Sequence, residues 1–71
     1  MLKWEIYVKR HNSDLRLIAT LYEEDGYGYS DALTYSKACF DIMDSITHIW
    51  IFCARADDNK VVCKDHYYSG E

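Results

Sequence analysis

The sequence predicts an α+β fold: ββαββ, a four-stranded antiparallel sheet ordered 2-1-3-4 with one helix packed on one face. Two runs of period-two alternation lie before the middle of the chain, one run of helical spacing occupies the middle, and two further apolar runs follow it. Strand direction then limits the topology. If the first strand runs up, the second runs down, the helix returns up and the third strand runs down. The third is therefore antiparallel to the first, and placing it beside the first gives an all-antiparallel sheet with the most regular hydrophobic strands in the centre. Seventy-one residues accommodate one domain, 1–71, of small core and modest stability.

Residues 2–10 set Leu2, Trp4, Ile6 and Val8 on one side and Lys3, Glu5, Tyr7 and Lys9 on the other, a half-buried strand. HNSD at 11–14 is a polar break suited to a hairpin loop. In the second strand, 15–23, the alternation points Leu15, Leu17, Ala19 and Leu21 inward and Arg16, Ile18, Thr20 and Tyr22 outward. From Asp31 to Ile46, apolar residues at 32, 35, 39, 42, 43 and 46 follow the three-four spacing of a helix face. Ser30 is placed to cap that helix and Asp31 to favour its positive end. THIWIFCAR at 47–55 reads as a third strand, apolar on both faces; ADDN at 56–59 is a turn, and KVVCKDHYY is the fourth strand.

The connection EEDGYGYSDA has the strand–glycine–helix layout of a phosphate cradle, but only G-x-G is present and no lysine follows at the required place. Its carboxylates repel anions, so the glycines serve to reverse the chain. Tyr27 and Tyr29 flank Gly28 and, with Glu23, Glu24 and Asp25, are expected to form an acidic, partner-binding knob. Alanine at either tyrosine is then expected to leave stability nearly unchanged and to affect only binding.

No motif specifies a reaction, and the chain is expected to be non-enzymatic and without cofactor. Cys63 and His66 form C-x-x-H, but a zinc knuckle needs a second spaced pair, so no metal is expected. Cys39 falls on the apolar helix face, and Cys53 and Cys63 flank the last hairpin as candidate cross-strand neighbours. Three cysteines do not suit a closed disulfide framework.

One helix covers only one face of such a sheet. If Ile49, Ile51 and Cys53 face the helix, then His48, Trp50 and Phe52 point to the open face with Tyr7, Tyr22 and Tyr68. Such an aromatic patch suggests contact with another molecule; the plain alternative turns Trp50 and Phe52 toward the helix. The second strand is an edge with little to prevent pairing, which favours a homodimer or other homo-oligomer.

Net charge is −4. Between residues 23 and 44, Glu23, Glu24, Asp25, Asp31, Asp41 and Asp44 stand against Lys37 alone. That disfavours broad nucleic-acid affinity and fits a basic partner, such as a nucleic-acid enzyme. A small, acidic, tyrosine-rich chain of this kind resembles, in style alone, the inhibitors that phages direct at host enzymes and defence systems, anti-CRISPRs included. The leading expectation is a protein-binding module that inhibits by occlusion. The alternatives are a homo-oligomer binding a small ligand or nucleotide, and a single-stranded nucleic-acid binder using the aromatic face. MLKWEIYVKR does not read as a signal peptide, and no apolar run is long enough to span a bilayer. The expected location is cytoplasmic, in the host cell if the chain is phage-encoded.

Overall fold

The computed structural model describes residues 1–10, 14–42 and 45–68. The chain runs through β1 (Leu2–Arg10), β2 (Arg16–Tyr22), a single 3-10 turn (Glu23–Asp25), α1 (Tyr29–Ile42), β3 (Ile46–Arg55) and β4 (Val61–Tyr68). The strands form one antiparallel sheet in the order β2-β1-β3-β4, as the direction argument requires. The hairpin assigned to HNSD falls mostly on His11, Asn12 and Ser13, which lie outside the described residues, as do Met43 and Asp44 of the anticipated helix face.

The core lies between the central strands and the helix. Trp4, Ile6 and Val8 of β1 pair with Cys53, Ile51 and Ile49 of β3, and all six are buried. Ala32 and Cys39 from α1 close over them. Ser36 is buried among these groups and donates its hydroxyl proton to the Ala32 carbonyl at 2.9 Å, so its burial leaves no donor unsatisfied.

The helix differs from its sequence reading in three ways. It is described as Tyr29–Ile42, and Ile46, counted on its apolar face, instead opens β3 as a core residue. Its buried stripe is 32, 36 and 39, leaving Tyr35 and Ile42 exposed. Ser30 is not the cap: it lies within the helix, and Gly28 precedes the first helical residue. The Asp31 carboxylate accepts from the Gly28 amide at 2.8 Å, while the amides of Asp31 and Ala32 donate to the Gly28 carbonyl. This is the reciprocal half of a capping box. Of the two glycines here, only Gly26 needs its freedom, with φ of 96° and its amide bonded to the Glu23 carbonyl.

Each strand pair also carries one extra residue. Ile6 pairs with Ala19 but Tyr7 with Leu17, which leaves Ile18 as a bulge. A slip of one residue exchanges faces. Leu15 and Leu17, expected in the core, are therefore exposed, whereas Ile18, expected outward, packs against the core, and Arg16 stands opposite Val8. The other two shifts fall at Thr47 and Val62.

Ile51 is buried at the centre of this arrangement, and Ile42 is 78% exposed. Ile51→Ala is expected to cost about 2–5 kcal/mol, seen as a large drop in thermal midpoint, and Ile42→Ala to change it little. Thermal melts followed by circular dichroism compare the two.

Candidate functional site

The registers fix what the helix leaves open. Four cross-sheet rows line that face: Tyr22–Lys3–Ala54–Val61, Thr20–Glu5–Phe52–Lys64, Leu17–Tyr7–Trp50–His66 and Lys9–His48–Tyr68. Tyr7, Tyr22, His48, Trp50, Phe52 and Tyr68 thus share one face, opposite the helix. Trp50 and Phe52 are half-buried by neighbouring rings, whereas Trp4, on the other side of the sheet, is 6% exposed.

The rings organise one another. Trp50 and His66 lie nearly parallel with centroids 4.4 Å apart, and His48 and Tyr68 repeat the arrangement at 4.7 Å in the next row. Phe52 meets Tyr7 edge-to-face at 5.3 Å. Joining the two parallel pairs, His48 Nδ1 and His66 Nε2 approach to 2.8 Å. Their centroids are 5.0 Å apart, so the two nitrogens lie almost on the line between ring centres. The imidazoles therefore meet edge to edge through one N–H···N hydrogen bond. That bond holds one proton, and a doubly protonated pair would set two N–H groups against each other. Desolvation, then the charges of His66 and Lys9, hold the His48 pKa below its usual value.

Beside the rings lies a shallow groove of about 310 Å³ lined by Glu5, Tyr7, Leu15, Phe52 and Val61. Leu15 and Val61 reach it because the bulges at Ile18 and Val62 turn them to this side. Sequence reasoning placed Leu15 in the core and left Val61 out of the site. It also considered His66 only in metal or thiol chemistry with Cys63, although period two from Tyr68 would have put it on the face.

At the Lys3 end, next to this groove, the face is closed. The Lys3 ammonium donates to the Asn59 side-chain carbonyl and stands 3.8 Å from Glu5, so this lysine is buried and paired. Asn59 reaches it from the β3–β4 turn in a left-handed conformation, φ 61°. With Arg16 opposite Val8, the open face retains Lys9 and Lys64 as its basic side chains among the described residues.

The acidic knob is a separate feature. Glu23, Glu24 and Asp25 form the exposed 3-10 turn that carries the chain from β2 to the helix, and Glu23 accepts the Leu2 amide at 3.0 Å. Tyr27 is exposed, but the Tyr29 hydroxyl lies 2.6 Å from that of Tyr67. This hydrogen bond, followed by desolvation and by Asp65, pushes the Tyr29 pKa up. Tyr29 thus fastens the helix start to β4, so its alanine substitution is not the neutral change that the loop reading suggests.

Cys63 and His66 fall on opposite faces, the first opposite Cys53 and the second opposite Trp50, so the C-x-x-H spacing brings no shared ligand position. Among the described residues no group of three His, Cys, Asp or Glu gathers. Compared with protein-family models, curated proteins and solved structures, the chain matches none.

The His48 shift makes a signed prediction. As pH falls below 6.5, its ordinary value, the unfolded chain takes up a proton there before the folded chain does. Stability is therefore lost from that value down through the lowered folded value. Thermal midpoints measured from about pH 7.5 to about pH 5 should decline less steeply in His48→Gln than in the wild type.

Proposed function

We propose that this chain is a non-enzymatic protein-binding module that covers a partner's surface with its open sheet face and inhibits by occlusion. The observation that carries this reading is the continuous belt of Tyr7, Phe52, Trp50, His48, His66 and Tyr68, extended by Leu15 and Leu17 and left uncovered by the helix. Aromatic anchors held by neighbouring rings lose little side-chain entropy on contact. The groove beside Phe52 offers a socket for one apolar side chain of the partner. A net charge of −4 steers a partner of positive sign, such as a basic nucleic-acid enzyme, while the rings make the contact.

The same geometry weighs against single-stranded nucleic-acid binding. Base stacking needs free ring faces, whereas here Trp50 and His66 face each other, as do His48 and Tyr68. The loss of Lys3 to Asn59 thins the basic set further.

A homo-oligomer enclosing a small ligand is the second reading. It draws on the groove, which is open in one copy and would be roofed by a second.

Immobilised wild-type protein, Trp50→Ala and Tyr27→Ala separate these outcomes when each is exposed to candidate partners and to the free chain. Trp50→Ala is expected to keep a folded circular-dichroism spectrum and to lose partner affinity by about 10-fold or more. Tyr27→Ala, in the acidic knob, is expected to weaken binding less than Trp50→Ala does. Equal binding by all three would overturn the sheet-face reading, and capture of the free chain alone would select the second.

A further inference from the structure

On the helix side of the sheet, Cys53 of β3 and Cys63 of β4 stand directly opposite each other, the first buried and the second exposed. Residues facing each other on antiparallel strands have Cα atoms about 4.5 Å or about 5.5 Å apart, depending on the pair type. Both separations fall in the range of about 4.4–6.8 Å that a disulfide spans without backbone movement. Both side chains leave the same face of the sheet. We propose that Cys53 and Cys63 are a dithiol modification site that takes oxidising equivalents from a low-molecular-weight disulfide of the glutathione class and closes into a cross-strand disulfide.

The two thiols have different roles. Exposed Cys63 is the one an external disulfide reaches. Its thiolate attacks one sulfur of the small disulfide, forming a mixed disulfide on Cys63 and releasing one small thiolate. Cys53, deprotonated in its turn, attacks the Cys63 sulfur and expels the second small thiolate. Two protein thiols are oxidised to one disulfide, the small disulfide is reduced to two thiols, and the two protons lost by the protein end on those products. Burial, followed by the Cys63 charge and the hydrogen bond between the thiols, holds the Cys53 pKa above its usual value. It is therefore a poor first nucleophile toward solvent but well placed for the intramolecular second step, where proximity replaces concentration. Cys39 lies buried on the helix, outside this pair.

The bridge would tie edge strand β4 to β3. His66 and Tyr68 on the other face of β4 hold half of the ring arrangement, so oxidation fixes the strand that presents them. The thiol chemistry itself does not depend on the binding role proposed above.

Incubation of the full chain with oxidised glutathione, followed by intact mass, tests it. The wild type is expected to lose two hydrogen masses and protect two thiols from alkylation, reversibly with dithiothreitol. Its melting temperature should rise by about 5–10 °C. Cys53→Ser should stop at one glutathione on Cys63, and Cys63→Ser should remain unmodified. Should Cys53→Ser fail to fold, the wild-type mass alone decides. A wild type that retains glutathione on Cys63, that forms disulfide-linked dimers, or that leaves both thiols open to alkylation would overturn the proposal.

Discussion

The pairing of β1 with β3 is the constraint on which the molecule depends. Leu2 through Lys9 align with Arg55 through His48 without interruption, and this antiparallel pair supplies most of the buried residues. It sets two faces with opposite fates. Trp4, Ile6 and Val8 with Cys53, Ile51 and Ile49 form a surface that one helix can cover. Glu5, Tyr7 and Lys9 with Phe52, Trp50 and His48 form the surface that no second layer covers among the described residues. Burial of one face therefore specifies the exposure of the other, and β2 and β4 extend both.

How each strand extends them depends on its bulge. Ile18 returns to the core and sends Leu15 and Leu17 outward, while Val62 sends Val61 to the groove. The open face gains apolar area that strict alternation would have placed inside. At its closed end, the turn before β4 brings Asn59 over the face to Lys3, which removes one charge from the surface. Lys9 and Lys64 remain on it, together with the His48–His66 hydrogen bond.

Strand order was legible because it rests on strand direction, on the apolar alternation of β1 and on the continuous apolar run of β3, which suits a central strand. The facing of Trp50 and Phe52 followed from the same period once Ile49 and Ile51 were assigned to the core. Bulges were not legible: LRLIATL is apolar in both parities at Ile18, so no composition signal marks the slip. The helix boundary was misread for a related reason. Ile46 continues the three-four spacing and is equally at home as the first core residue of β3. Ser30 was a reasonable cap by residue type, but the Asp31 side chain reaching back to Gly28 starts the helix earlier. Tyr29 could be separated from the loop only once β4 was known to bring Tyr67 within reach.

Binding through the sheet face requires Trp50 to be a contact residue on an uncovered face. The chain has two tryptophans, and Trp4 is buried in the core, so Trp4→Phe leaves Trp50 as the sole reporter. Acrylamide quenching of that variant, alone at high dilution and then in complex with its bound partner, tests the claim most directly. Ready quenching in the dilute protein and strong shielding in the complex are the expected results. Shielding already complete in the dilute monomer, or quenching unchanged by the partner, would contradict the claim.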